Sequence, residues 1–215
     1  MNANRIPPLA GALGTGLVFA GLMTANDAIH ASRASDAPST IAADFATNSD
    51  GVRQGVWLAL VGLTLVFPFL ADLRRRIRAA EGDGGILATT ALAGGLVGAA
   101  GLIAYLALLV TASTDSIAAH PDAAATLRLL TWEYGGVLAP AYAALVGATS
   151  VAALRHRLLH AAARPLAWLG LPLAAALAVS GFLGGALVVT SLLWLLLFAA
   201  ALALQPAPRA VLETA

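Results

Sequence analysis

The sequence predicts an all-α fold: a polytopic transmembrane bundle of six spans, with both termini on the cytoplasmic side. Three observations predict it, namely the composition, the length of the apolar runs and the placement of arginine. Hydrophobic residues make up 60% of the chain and charged residues 11%, against roughly 45–50% and about 25% in soluble domains. Lipid must therefore solvate much of the surface. The apolar runs repeat at about 20 residues, the length that crosses a hydrocarbon core of roughly 30 Å. Five or six of them, with modest loops, use up the 215 residues and make one transmembrane domain.

The first span, 8–25, follows a short head that carries Arg5. It reads as a retained helix, because Met23 and Ala25 make a poor small-residue cleavage pair for a signal peptide. The loop 26–53 carries Asp27, Asp36, Asp44 and Asp50, with Pro38-Ser39-Thr40 as turn formers and a short helix near 41–45. The second span, 54–73, has Trp57 near its start and Pro68 near its end, and stops against Arg74, Arg75, Arg76 and Arg78. In the inner loop 74–85, Glu81-Gly82-Asp83-Gly84-Gly85 breaks the helix, since consecutive glycines favour turns.

The third span, 86–112, is rich in small residues: Gly94, Gly95, Gly98, Ala99 and Gly101. A second polar loop, 113–133, holds Asp115, His120, Asp122 and an interfacial helix through Arg128. Trp132, Glu133 and Tyr134 mark the headgroup level. The fourth span, 134–154, contains Pro140 and ends at Arg155-His156-Arg157. After the inner loop 155–164 comes an apolar tract that would reach about 60 Å as one helix, too long for one crossing. The Gly181-Phe182-Leu183-Gly184-Gly185 segment divides it into spans 165–181 and 185–204. A re-entrant fifth segment, giving five crossings, is the alternative, because irregular backbone is tolerated at membrane depth where protein buries it.

Charge tests this topology independently, because cytoplasmic loops hold the excess of arginine. The six-span arrangement puts Arg5, Arg74, Arg75, Arg76, Arg78, Arg155, Arg157, Arg164 and Arg209 inside, and Arg33, Arg53 and Arg128 outside, which is nine of the twelve basic residues against three. The acids lean the other way. Together with the hydropathy, this predicts a multi-pass membrane protein, with the arginines of the inner loops as cytoplasmic anchors.

All twelve basic residues are arginine and there is no cysteine, which excludes a lysine Schiff base, thiolate metal sites and thiol-linked lipid. A net charge of +1 with scattered basic residues offers no stripe for nucleic acid. No ionisable group sits near a span centre, so a proton relay has no foothold. Asp72 reads as a boundary residue paired with a neighbour. His156 and His160 stand four apart, a spacing that can hold a metal on one helical face. Lacking a third ligand, and flanked by Arg155 and Arg157, they fit a basic interfacial helix over 155–164 better. No catalytic, cofactor or metal site is assigned.

Two structural hypotheses remain. Gly94 and Gly98 form a small-xxx-small pair, either a dimer face or packing within the bundle. Arg53 and Glu133, at the starts of spans two and four, would form a pair flanked by Trp57, Trp132 and Tyr134, locking the bundle or lining a shallow outward pocket.

The acidic, Ala-rich loop after span one, the Arg53-Gln54-Gly55 run opening span two and the Arg164-Pro165-Leu166-Ala167-Trp168-Leu169-Gly170 run opening span five carry a resemblance. In layout, the chain resembles an uncharacterised bacterial family of six-helix membrane proteins bearing a domain of unknown function. The resemblance implies a fold and no activity. Three functional classes stay open: a non-enzymatic accessory component that binds another membrane protein or itself, a permease for an uncharged or amphipathic solute, and an enzyme acting at the outer face. A solvent-reachable cavity near mid-membrane favours the second, and two or more polar groups converging in one cleft favour the third.

Overall fold

The structure, a computed structural model, describes residues 5–29, 35–82, 84–180 and 184–205. Among them the chain is helical throughout, in the order α1 (Ile6–Ile29), α2 (Pro38–Thr47), α3 (Ser49–Glu81), α4 (Ile86–Ala112), α5 (Asp115–Ala118), α6 (Pro121–Arg155), α7 (Arg164–Val179) and α8 (Gly184–Ala203), with a 3-10 turn at Ala161–Ala163. Six of the helices are long and apolar enough to cross a membrane, and they correspond to the six spans expected from the sequence. The chain is a multi-pass helical membrane protein. The Gly181–Leu183 part of the expected turn between α7 and α8 lies outside the described residues.

Several boundaries differ from the sequence expectation. Helix α3 continues through Glu81, so Arg74, Arg75, Arg76 and Arg78 ride on helix rather than loop. Helix α6 starts at Pro121, thirteen residues before the expected span four at 134, and Arg128 belongs to it rather than to a separate interfacial helix. Hydropathy marks only the part of a helix that lipid surrounds, and both helices run on past it. The short helix near 41–45 is α2, opened by Pro38, whose fixed φ suits a first turn. The basic helix expected over 155–164 does not form. Helix α6 stops at Arg155, Arg157 takes a positive φ of 53°, and His156 and His160 share no helical face.

At the α3–α4 connection Gly82 and Gly85 take positive φ values of 76° and 56°, which permits the sharp reversal. Gly85 has no side chain to cap α4. Glu81 does so instead, its carboxylate accepting from the backbone N–H groups of Leu87 at 2.9 Å and Ala88 at 3.1 Å, the second and third residues of α4. A carboxylate there also meets the positive end of the helix dipole.

Neighbouring helices pack α1 on α3, α3 on α4, α4 on α6, α6 on α8 and α8 on α1, closing a five-membered ring, with α7 outside it against α6 and α8. The α1–α3 seam is antiparallel, with Gly14 beside Gly62 and Gly21 beside Gly55. Large apolar side chains remain exposed around the outside, among them Leu13, Trp57, Val97, Trp168 and Leu197, as suits helices solvated by lipid.

The bundle has two chemically different ends. At the arginine end, Arg5 donates to the Gln205 carbonyl at 2.9 Å and Gln205 donates to the Leu158 carbonyl, tying α1, α8 and the turn after α6 together. Glu81 lies within electrostatic reach of His156 and Arg155, so the arginine groups of α3 and α6 share that end. At the acidic end, α2 packs across α6 and buries Ile41, Ala42 and Phe45.

Candidate functional site

Helix α6 carries a buried face on which Ala124, Arg128, Thr131, Leu138 and Tyr142 recur at helical spacing. At the acidic end this face does not meet its neighbours closely. Instead a cavity of about 550 Å³ opens between α1, α4, α6 and α8, within the roughly 300–1,000 Å³ range of small-molecule sites. Leu22, Leu102, Leu138 and Val188 supply apolar wall, while Asn26, Tyr105, Arg128 and Thr131 supply polar groups. The α6–α8 side is closed by Gly135 against Gly185, where a Cβ on Gly135 would stand 2.7 Å from the Gly185 Cα.

Arg128 is the dominant charge of the cavity, because it is only 4% exposed. Tyr105 on α4 and Asp44 on α2 lie within its electrostatic reach. The Tyr105 hydroxyl donates to Asn26 Oδ1 at 2.9 Å, linking α4 to α1 across the site. The Tyr105 ring stacks on Tyr134, with centroids 6.2 Å apart. Asp27 also lines the cavity, but its side chain is exposed and its charge is shared with solvent.

Toward the bundle centre the cavity ends. The next void in the ring, reached past Leu102 and lined by Thr15, Val18, Leu63, Tyr142 and Leu192, is about 20 Å³, room for about one water. A second cleft, of about 390 Å³, lies at the arginine end between Leu73, Arg76, Leu158, Leu202 and Gln205. The two are separated by the packed middle.

The residues singled out from the sequence are placed as follows. No ion pair joins Arg53 to Glu133 among the described residues; both side chains are exposed, and α3 and α6 barely touch. The expected pair is therefore corrected. The two helices sit across the ring from one another with α4 between them. Trp57 is 69% exposed and faces away from the bundle, and Tyr134 belongs to the Tyr105 stack. The side chain of Trp132 is outside the described residues. Gly94 and Gly98 serve packing within the bundle: a Cβ on Gly94 would stand 2.6 Å from the Ala141 carbonyl oxygen, and one on Gly98 would stand 3.3 Å from the Tyr142 ring.

Asp72, buried at 5% exposure, is paired with two neighbours, Arg75 and Arg76, the latter at 2.6 Å. This is the boundary role expected for it. His120 is exposed, and His30 lies outside the described residues. No group of three His, Asp or Glu side chains among the described residues could hold a metal ion.

Sequence reasoning missed Arg128 as a site residue, having assigned it to a short interfacial helix within the outer loop. The signal was present in its spacing, three before Thr131, seven before Gly135 and fourteen before Tyr142, which puts it on the inward face if the helix begins at Pro121.

The chain matches no family model, no curated protein and no solved structure. Fold and site together define the class: a multi-pass helical membrane protein with a ligand-sized cavity at the acidic end of its ring.

Proposed function

We propose that the protein is a non-enzymatic accessory component of the bacterial inner membrane, and that it works by holding a small molecule in the cavity at its outer end. The arginine distribution supports this orientation, because cytoplasmic ends hold the excess of arginine, which favours the arginine end inside and the cavity outside. The observation that carries the proposal is the cavity itself, a space of about 550 Å³ kept open at one end of a bundle whose middle is closely packed.

The packed middle favours binding over passage. A permease needs a route past Leu102, and the void there is about 20 Å³. An outer-face enzyme needs converging acid, base or nucleophile. The cavity lining supplies one exposed acid, Asp27, and no histidine among the described residues.

Native mass spectrometry of the protein released from lipid nanodiscs tests the proposal. A small molecule retained by the wild-type chain and lost from Val189→Trp, which fills the cavity, supports it. A wild-type protein that carries nothing beyond what Val189→Trp carries overturns it.

A further inference from the structure

We infer that the outward face of α3 binds an anionic phospholipid at the arginine end, its phosphate held between Arg74 and Arg78 and its hydrocarbon lying along Ala71 and Phe67. The division of charge on this helix carries the inference. Of the four arginines in the run from Arg74 to Arg78, Asp72 is paired with two, Arg75 and Arg76. Arg74 and Arg78 are exposed and have no ion pair among the described residues. Glu81, just beyond Arg78, does not answer them, because its carboxylate accepts from the Leu87 and Ala88 amides of α4. Asp83 lies outside the described residues.

Position gives the two arginines a shared ligand. Residues four apart on a helix lie on one face, about 6 Å apart along the axis, and like charges so placed repel one another until an anion sits between them. Phe67, Ala71, Arg74 and Arg78 are spaced four, three and four apart, which sets them in one stripe. All four are exposed. The stripe is therefore apolar toward the middle of the span and doubly cationic at its end. A guanidinium fork matches two phosphate oxygens at once. A phosphate that carries a hydrocarbon chain satisfies both parts of the stripe, whereas inorganic phosphate satisfies only the second.

The test is native mass spectrometry of the full chain released from nanodiscs of phosphatidylcholine doped with phosphatidylglycerol. The wild type retains phosphatidylglycerol in preference to phosphatidylcholine. Arg74→Gln and Arg78→Gln each reduce that preference about fivefold, the worth of one basic residue beside anionic lipid. Arg74→Lys, which keeps the charge but not the fork, retains part of it. Arg164→Gln removes an exposed arginine from α7 at the same end and changes the preference by less than about twofold, because a separate exposed charge is screened. Each of these side chains is exposed, so the substitutions leave the packing of the bundle intact.

Equal losses from Arg164→Gln and Arg74→Gln would show that the arginine end attracts anionic lipid as a diffuse charge, and would overturn the site. A wild type with no preference between the two lipids overturns it as well. Val189→Trp, which fills the cavity at the acidic end, keeps the preference. Loss of phosphatidylglycerol from Val189→Trp, with Arg74→Gln and Arg78→Gln unaffected, assigns the lipid to the cavity and overturns the inference while supporting the cavity reading.

Discussion

Gly14 and Gly62 meet across the α1–α3 seam with no room for a side chain on either. A Cβ on Gly62 would lie 2.5 Å from the Gly14 carbonyl oxygen, and one on Gly14 would lie 2.6 Å from the Gly62 carbonyl oxygen. Gly21 and Gly55 repeat the arrangement seven residues along. A seven-residue repeat keeps two helices in register at a shallow left-handed crossing. Two backbones this close gain the packing that drives association in lipid, where apolar burial from water offers little.

Because backbone atoms cannot move aside as a flexible side chain can, Gly62→Ala destabilises the bundle by about 1–3 kcal/mol. Gly84→Ala, at a position with nothing within 4 Å, changes stability by less than about 0.5 kcal/mol. Reversible unfolding in mixed micelles measures both. Equal stability of the two variants would show that the seam is looser than the structure gives it.

Asp72 holds the arginine end of α3 together from a buried position. Arg75 is mostly exposed, so removing its charge costs little. Asp72→Asn removes the negative charge and one of the two oxygens that accept from the guanidinium groups, and costs about 1.5–3 kcal/mol, the usual worth of hydrogen bonds to charged groups. The same unfolding measurement ranks Asp72→Asn well above Arg75→Gln.

Trp194 ties α8 to α7, its indole N–H donating to the Leu166 carbonyl at 2.7 Å. Trp194→Phe removes the donor and leaves that carbonyl without it, at a cost of about 1–3 kcal/mol. Since α7 lies outside the ring, the loss falls on α7. Hydrogen exchange over Arg164–Val179 speeds up in the variant while α1 and α3 keep their protection.

Glu81 caps α4 from the end of α3. Its replacement in Glu81→Gln keeps one acceptor oxygen but removes the negative charge at the helix N-terminus. Exchange of the Leu87 and Ala88 amides rises several-fold, and amides deeper in α4 do not change. Unaltered exchange at Leu87 and Ala88 would mean that Glu81 does not cap the helix.

Much of the fold was legible in the sequence, because the features that define it are local. Each crossing announces itself as an apolar run, and Gly82 to Gly85 announce the α3–α4 turn. The site was far less legible. Arg128 lies in a polar stretch that reads as part of the outer loop, and only tertiary packing makes that turn of helix a buried one. The Arg53–Glu133 pair failed for the complementary reason. Equal depth in the membrane says nothing of which helices are neighbours, and the ring places α4 between them. The α1–α3 glycines were also missed: their spacing of seven, unlike the four of Gly94 and Gly98, becomes visible only when two helices are laid side by side.

The most direct measurement uses the absence of native cysteine. Single cysteines are introduced as Asp122→Cys at the acidic end, Thr131→Cys in the cavity and Ala80→Cys at the arginine end, and intact cells are treated with a membrane-impermeant maleimide. The account predicts labelling of Asp122→Cys and Thr131→Cys from outside, and of Ala80→Cys only after the membrane is opened. Labelling of Ala80→Cys in intact cells, with Asp122→Cys protected, would contradict it.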